Sequence, residues 1–242
     1  MWRDNLRAIY YIALKDMKTY YLKPPGISWG IVFPITWILA FYLRAPGDFR
    51  ELVPGLIAMT ILFSTTAAEA VVINFEMRLG SLERLLLAPI TVSAVLLGKI
   101  LGGAIFGLIM TGIVTFCSII VLGVHPHIFY LSIIILISCF TFATLGALLC
   151  VLVKEVFEAQ TLLNLPRFIM IFLCGVIYPI SKMPVWLQHI SSVMPLTYTV
   201  EGLRDGFTFS SVNIIFKDAL ILSAFLSLFV FMAINRLKKK FE

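Results

Sequence analysis

Long apolar runs separated by short polar stretches make up most of this chain. A helix needs about 20 mainly apolar residues to cross a bilayer, and runs of about this length lie at residues 27–43, 52–75, 92–122, 128–153, 161–178 and 214–234. The runs are continuous rather than alternating, which favours helices over a membrane barrel, because a helix pairs its own backbone polar groups within hydrocarbon. The pattern predicts an all-α integral membrane protein whose six transmembrane helices form one domain over residues 1–242.

The segment at residues 1–23 has a helical period instead of a continuous apolar run. Its apolar positions recur at steps of three and four residues, and its basic positions fall between them. The apolar positions are Trp2, Leu6, Ile9, Ala13, Met17 and Tyr20, and the basic ones are Arg3, Arg7, Lys15 and Lys18. This pattern is typical of an amphipathic helix that lies in the membrane interface.

A polar interruption at residues 76–90 separates the second and third apolar runs. Gly80 can end one helix and Ser81 can cap the next, so we expect a short helix over residues 82–87 before Pro89 stops it. The helix would form a small amphipathic peg on the cytoplasmic side. Its exposed residues would be Glu83 and Arg84, and the residues able to press on another surface would be Leu82, Leu85 and Leu86.

Residues 179–213 are apolar enough to touch lipid but too interrupted to span it. Pro184 and Pro195 each stand where a short helix can begin, because proline fits the first helical turn. Trp186 and Tyr198 follow them, and both residue types favour the membrane interface. The pattern predicts two short re-entrant helices in the outer leaflet, between the fifth and sixth spans.

Polar residues inside the predicted spans are few. A carboxylate within a span costs a few kcal/mol unless it faces a partner or water. Glu69 therefore either lies on a subunit interface or polar pathway, or lies shallow and reaches the cytoplasmic boundary or is neutralised near it, and the sequence leaves both alternatives open. The fifth run contains Asn164, Pro166 and Arg167.

The third apolar run is rich in glycine at a spacing that permits close approach of helices. The residues concerned are Gly98, Gly102, Gly103 and Gly107. We interpret them as packing positions between neighbouring helices, with an interface that moves during function as the alternative.

Composition and charge agree with a chain in lipid. Of all residues 60% are hydrophobic and 13% charged, the mean hydropathy is +1.01, and the net charge is +6. Most of the 19 Lys and Arg residues fall on one side if the N-terminus is cytoplasmic, so the positive-inside rule places both termini in the cytoplasm. This bias favours anionic lipid head groups and not nucleic acid. We expect a multi-pass protein of a prokaryotic-type plasma membrane.

The common catalytic motifs are absent from the sequence. It has no Gly-x-x-x-x-Gly-Lys-Ser/Thr phosphate loop, no His-Glu-x-x-His and no Gly-x-Ser-x-Gly. The four cysteines lie in apolar runs without metal-ligand spacing, and His125 and His127 fit solvated loop residues better than a metal pair. We therefore expect no catalytic site, no cofactor and no metal in this chain.

Two stretches resemble the type-2 ATP-binding-cassette (ABC-2 type) export permeases. The first is the polar interruption with Glu76, Gly80, Leu82, Glu83, Leu86 and Pro89, followed by Gly98-Lys99, which is similar to the cytoplasmic loop of that family. The second, residues 175–205, is similar to its outer segment, although Val193-Met194 stands where many members have asparagine. The likeness is to the drug-exporter branch.

The resemblance implies the membrane-spanning subunit of an ATP-driven exporter for a hydrophobic or amphiphilic substrate, such as a drug, a lipid or a lipid-linked glycan. It also implies a homodimer or paired half-transporter bound to two copies of a cytoplasmic ABC ATPase, which would hold ATP and Mg.

By the same resemblance, residues 81–87 would be the coupling helix. The ATPase-coupling residues would be Glu76, Gly80, Ser81, Leu82, Glu83, Arg84, Leu85, Leu86 and Pro89. The substrate pathway or dimer interface would include Glu69, Asn164 and Pro166. The outer gate would include Tyr178, Pro179, Pro184, Trp186, Pro195, Tyr198, Glu201 and Arg204.

Two other classes of function stay open from the residues alone. An ATP-independent channel or secondary carrier would show charged rings, paired ionisable residues within the membrane or inverted repeats. A membrane enzyme would need polar residues clustered at one depth. The sequence shows none of these features clearly.

Overall fold

A computed structural model describes residues 2–23, 49–123, 126–153, 156–208 and 212–241, together with Val32, Thr36, Leu39, Ala40 and Leu43. Within these residues all regular secondary structure is helical. The helices are α1 (Trp2–Asp16), which continues into a π-helical turn (Met17–Tyr21), α2 (Phe49–Arg78), α3 (Ser81–Leu86), α4 (Val92–Leu122), α5 (Ile128–Leu152), α6 (Val156–Leu173), a 3₁₀ turn (Ile180–Lys182), α7 (Val185–Ser192), α8 (Pro195–Thr208) and α9 (Val212–Phe241).

Four helices are long and apolar enough to cross a membrane. They are Leu52–Arg78, Val92–Ile120, Ile128–Leu152 and Phe216–Lys239, and they match the second, third, fourth and sixth predicted spans. The first predicted span, residues 27–43, lies outside the described residues except at the five positions named above. The all-helical class is therefore confirmed for the described part of the chain.

The fifth predicted span ends earlier than the sequence suggested. Helix α6 covers Val156–Leu173, whereas the predicted span reached residue 178. Gly175 adopts a φ of +80°, in the left-handed region that glycine occupies without strain. The chain turns there, which ends the helix before the apolar run itself ends.

Helix α2 lies at the centre of the bundle. Buried residues of α2, α4, α5, α6 and α8 form one continuous core around it. Four buried side chains of α2 donate hydrogen bonds from their hydroxyl groups to backbone carbonyls of the same helix: Thr60, Ser64, Thr65 and Thr66. Because these bonds satisfy the hydroxyl groups internally, α2 can be surrounded by apolar helices without leaving them unpaired.

The glycines of α4 are packing positions, as the sequence analysis favoured. Gly98 faces α1, where an added Cβ would lie 2.9 Å from the Cβ of Ile12. Gly103 and Gly107 face α2, where an added Cβ would overlap Glu69 and Thr65. The glycine-rich face of α4 therefore holds two different helices in close contact.

Helix α1 packs on the bundle and does not lie free. The apolar positions predicted for this helix are exposed at its start, at Trp2 and Leu6. Farther along the helix Ile12, Ala13 and Asp16 are buried. A buried aspartate in the packed face is the feature that the stripe did not predict. Its partners are described below.

The two short helices expected after Pro184 and Pro195 are present as α7 and α8. Helix α8 packs closely on α5, where a Cβ added to Gly202 would lie 2.9 Å from the Cδ1 of Ile134. The Tyr198 hydroxyl group donates to the carbonyl of Ser192 at 2.7 Å, which joins the two helices. Whether α7 and α8 enter the outer leaflet stays a prediction.

Candidate functional site

The peg between α2 and α4 forms where it was predicted, by a slightly different turn. Gly80 has a φ of 67° and precedes α3, and its N–H group donates to the carbonyl of Met77 at 3.2 Å. The Ser81 side chain does not cap α3, because its hydroxyl group donates to the Glu76 carbonyl at 3.3 Å. The left-handed glycine, and not a serine cap, makes the sharp turn.

The leucines of the peg press on the same chain. Leu82 is buried in a small cluster with Ile12 of α1 and Val95 of α4, and Leu85 and Leu86 pack at its edge. The residues of the peg that face outward form the α3 tip, which we define as Leu79, Glu83, Arg84 and Leu87. Leu79 is 65% exposed and Leu87 87% exposed, so the α3 tip is an apolar surface with two charges, free to contact a partner.

Four charged side chains meet behind the peg, in what we call the ion cluster: Lys15, Asp16, Glu76 and Lys99. The Lys99 Nζ lies 2.6 Å from Glu76 Oε2 and 3.2 Å from Asp16 Oδ2. The Lys15 Nζ lies 3.1 Å from Asp16 Oδ1 and also pairs with Glu76. The two ammonium groups balance the two carboxylates, so the ion cluster is neutral.

The ion cluster joins three elements that are distant in sequence. Asp16, Glu76 and Lys99 are each at most 1% exposed, and they belong to α1, the end of α2 and the start of α4. Removing one partner from a buried ion pair costs about 3–5 kcal/mol, because the other charge is left uncompensated. We conclude that α1, α2 and α4 are held together at the peg with little freedom to separate.

Lys15 lies at the rim of the ion cluster, outside the membrane-spanning helices. Burial by itself lowers the pKa of its ammonium group, but the hydrogen bond to Glu76 and the charge of Asp16 outweigh burial and raise the pKa. Lys15 therefore stays protonated at neutral pH and helps to neutralise the two carboxylates.

Glu69 lies two turns from Glu76 on α2, inside the bundle. It is fully buried, and neither of its carboxylate oxygens has a hydrogen-bond partner among the described residues. Gly103 of α4 and Gly146 of α5 leave the space that it occupies. The Glu69 carboxylate therefore lies within this chain and not on its surface, and its depth relative to the cytoplasmic boundary of the membrane stays a prediction.

The other two residues proposed for the pathway lie on α6. The Asn164 Oδ1 accepts a hydrogen bond of 2.9 Å from Arg167, and the Arg167 Nε donates to the hydroxyl oxygen of Thr66 on α2 at 2.8 Å. The Arg167 guanidinium also lies over the ring of Phe63, 5.3 Å from its centroid. Pro166 is within α6 and half-buried, next to this buried arginine.

The predicted gate residues lie at the opposite end of the bundle from the peg. Tyr178 and Trp186 are exposed, and Arg204 donates to the carbonyl of Gly175 at 3.4 Å, across the turn that ends α6. Burial raises the pKa of the Glu201 carboxyl group, and the nearby Asp205 acts in the same direction. These residues form one region around α7 and α8, and their role as a gate stays a prediction.

Sequence reasoning missed Asp16 and Lys99 as members of a site. The signal was present, because Asp16 falls on the packed face of α1 and Lys99 falls within the glycine-rich face of α4. Ionisable residues in such positions are costly unless paired. The pairing itself joins residues 83 positions apart, which no local pattern reveals.

Comparison with known proteins places this chain among transport permeases. The model of the ABC-2 type transporter family matches residues 7–208. The putative transport permease ycf38 of Cyanophora paradoxa is 28% identical over 228 residues. Two proteins of Escherichia coli (strain K12) are also similar: the inner membrane transport permease YadH, 26% identical over 162 residues, and the probable multidrug ABC transporter permease YbhR, 27% identical over 179 residues.

The similarity covers different shares of these relatives. The match to ycf38 covers 85% of this chain and 75% of that protein. For YadH the shares are 64% and 61%, and for YbhR they are 69% and 44%. The matched part is thus about three fifths of YadH and less than half of YbhR.

Proposed function

Because this chain belongs to the ABC-2 type transporter family, we propose that it is the permease subunit of an ATP-driven exporter that moves a hydrophobic or amphiphilic solute out of the cytoplasm. The similarity to YbhR, a probable multidrug ABC transporter permease, supports a drug-like solute, and lipids or lipid-linked glycans are alternatives within the same class. ATP and Mg would be bound by a separate cytoplasmic ABC ATPase.

The proposed arrangement in the membrane has six spans, with residues 27–43 as the first and α6 as a short fifth. Both termini and the α3 tip would face the cytoplasm, and α7 and α8 would be re-entrant helices at the outer face of a plasma membrane. Four spans of the described part and the apolar α6 support this arrangement. Exposed apolar side chains of α6, among them Leu165 and Phe172, would face lipid or a second copy in a homodimer or paired half-transporter.

The observation that carries the proposal is the exposed α3 tip in front of the buried ion cluster. ATP can move this chain only if one state of the ATPase dimer prefers one position of the peg. Glu83, Arg84 and Leu87 would contact the ATPase. The residues that would hold the peg in shape are Gly80, Ser81, Leu82, Leu85, Leu86 and Pro89, and Glu76 would link it to α1 and α4.

The proposed movement starts at the ion cluster. Since Lys99 bonds to both Glu76 and Asp16, a displacement of the peg would be transmitted to α1 and to the start of α4 together. Helices α2 and α4 would then shift against the α6 of a partner copy and open a route for the solute. Glu69, Asn164 and Pro166 would lie along or beside that route.

The test is association with a cytoplasmic ABC ATPase, and an ATPase in a neighbouring reading frame would be the first candidate. The double variant Glu83→Ala with Leu87→Ala should lose co-purification with the ATPase or its solute-stimulated ATP hydrolysis. Ile128→Ala is a matched control, because Ile128 is 71% exposed at the opposite end of the bundle, and this variant should couple normally. Full coupling by the double variant would contradict the assignment of the α3 tip.

The alternative function, an ATP-independent channel or secondary carrier, gains one observation from the structure. Paired ionisable residues do occur at the ends of apolar helices, at Glu76 and Lys99. They are bonded to each other and shielded, which suits a structural joint better than an ion path. Solute transport by the purified chain in vesicles without any ATPase would favour the alternative.

A further inference from the structure

The side chain of Glu69 is enclosed by two other helices, each of which has a glycine at the point of contact. A Cβ added to Gly103 of α4 would overlap the Glu69 carboxylate, so its Oε1 atom lies directly against the backbone of α4. A Cβ added to Gly146 of α5 would lie 3.2 Å from the Cβ of Glu69 and 3.0 Å from the Cα of Thr66. The contacts therefore define where this carboxylate lies and which two helices cover it.

The surroundings of Glu69 are apolar on the side of α1. Ala68 and Val72, its neighbours on α2, belong to a buried cluster with Tyr21 and Phe106. The rings of Tyr21 and Phe106 stack with their centroids 5.4 Å apart. The hydroxyl group of Tyr21 is buried and, in the part of the chain that the structure describes, has no hydrogen-bond partner. Water is therefore kept away from the carboxylate on this side.

The charged groups near Glu69 are bonded to other residues. Lys99 and Asp16 lie within electrostatic range of Glu69, but both are paired in the ion cluster, as is Glu76 two turns further along α2. Arg167 of α6 is hydrogen-bonded to two other side chains. Among the described residues, no ion pair within 4.0 Å includes Glu69.

The remaining neighbours of α2 supply no counter-charge. Helix α5 and the first predicted span, residues 27–43, contain no Asp, Glu, His, Lys or Arg. Both carboxylate oxygens of Glu69 are buried and lack a hydrogen-bond partner among the described residues. In such a place an ionised carboxylate is far more costly than the neutral acid. Glu69 is therefore neutral in this arrangement and holds a proton.

We propose that Glu69 is a proton-binding site of the permease, which holds a proton while α5 covers it and releases the proton to water when α5 moves away. The ion cluster fixes α1, α2 and α4 to one another, so α5 with Gly146 is the wall that a movement of the peg would displace. In the release step the O–H bond of the carboxyl group breaks, a water molecule takes the proton, and a hydrated carboxylate is left. This step rests on the proposed function, whereas the bound proton does not.

The bound proton can be measured on the purified full-length chain, without any ATPase. A protonated carboxyl group has an infrared C=O band that an ionised carboxylate lacks, and dodecyl maltoside contributes no ester band of its own. At neutral pH, Glu69→Gln should remove part of this band. Glu158→Gln is the matched control and should leave the band unchanged, because Glu158 is an exposed carboxylate on α6. An unchanged band in Glu69→Gln would overturn the proposal.

Glu69→Asp keeps the test decisive if Glu69→Gln fails to fold. This variant retains the carboxyl group but shortens the side chain, so it should shift the infrared band instead of removing part of it. A spectrum identical to that of the unmodified chain would overturn the proposal.

Thermal unfolding is a second measurement of the same proton. Unfolding exposes Glu69 to water, where a glutamate is ionised above about pH 4.3. The unmodified chain therefore releases one more proton on unfolding than Glu69→Gln does, and a rising pH favours its unfolding. Its melting temperature should fall relative to that of Glu69→Gln between about pH 5 and about pH 7. A constant difference over this range would contradict the bound proton.

The release step is tested with a coupled ABC ATPase. Solute-stimulated ATP hydrolysis by the unmodified chain and by Glu158→Gln should share one pH profile, and Glu69→Gln should lose part of that pH dependence, because an amide has no such proton to release. Identical profiles for Glu69→Gln and the unmodified chain would overturn the release step. A chain that holds the proton but couples to no ATPase would contradict the proposed function alone. A coupled chain whose infrared band is unaffected by Glu69→Gln would contradict the proton site alone.

Discussion

The contact of α1, α2 and α4 behind the peg depends most on Lys99, because this residue pairs with Asp16 and Glu76. Its ammonium group is nearly inaccessible to water and has two carboxylate partners on two other helices. Lys15 reaches the same two carboxylates but is partly exposed. Water can compensate for the loss of Lys15 more readily than for the loss of Lys99.

We predict that Lys99→Met destabilises the folded chain by about 3–5 kcal/mol, because Asp16 and Glu76 would then share one ammonium group in a buried place. Combining it with Glu76→Gln restores neutrality, with Lys15 opposite Asp16, and should recover much of the loss. Thermal unfolding in detergent measures both, as a double-mutant cycle. Lys238→Met, at an exposed position of α9, serves as the control and should change nothing; a double variant less stable than Lys99→Met would disprove the pairing.

At the scale of elements, the glycines of α4 set how closely α1 and α2 approach this helix. Gly98 and Gly102 approach α1, whereas Gly103 and Gly107 approach α2. The two faces are next to each other on one helix, so a bulkier residue on either face would push one neighbour away. Because Glu69 occupies the space beside Gly103, the close approach also keeps this buried carboxylate shielded.

We predict that Gly103→Ala destabilises the chain by about 1–3 kcal/mol, the usual cost of overpacking, because the new methyl group would overlap the Glu69 carboxylate. Gly112→Ala is the matched control on the same helix. Nothing lies within 4 Å of a Cβ added there, so alanine should be neutral or stabilise the helix by up to about 1 kcal/mol. The melting temperature should fall for Gly103→Ala and should stay the same or rise for Gly112→Ala. Equal shifts of the two variants would contradict the close contact between α4 and Glu69 of α2.

The elements themselves could be predicted well from the sequence, because their signals are local. Proline at the start of α7 and α8 and the leucine-rich turn of α3 mark short helices within a few residues of where they form. The end of α6 was missed, since the apolar run continues past the turn at Gly175. The ion cluster could not be predicted, because it depends on which faces of distant helices meet.

At the scale of the molecule, the bundle has a buried axis and an exposed side. In the most apolar stretch of α2, 89% of the residues are buried, whereas in that of α9 only 17% are buried. A helix as apolar as α9 with so little cover must contact lipid or another copy of the chain. The peg with its ion cluster lies at one end of this bundle, and the predicted gate residues lie at the other.

The separation of the two ends gives the whole-molecule proposal its most direct test. Leu87 on the α3 tip and Val193 between α7 and α8 are both more than 70% exposed, so a cysteine at either position should react with a membrane-impermeant maleimide. Of the native cysteines, Cys139, Cys150 and Cys174 are buried, and only Cys117 is exposed; replacing it by alanine removes the background. If the peg is cytoplasmic, Val193→Cys is labelled in intact cells and Leu87→Cys only in inverted vesicles. Labelling of both from the same side would be incompatible with an ATPase acting on the peg while solute leaves at the far end.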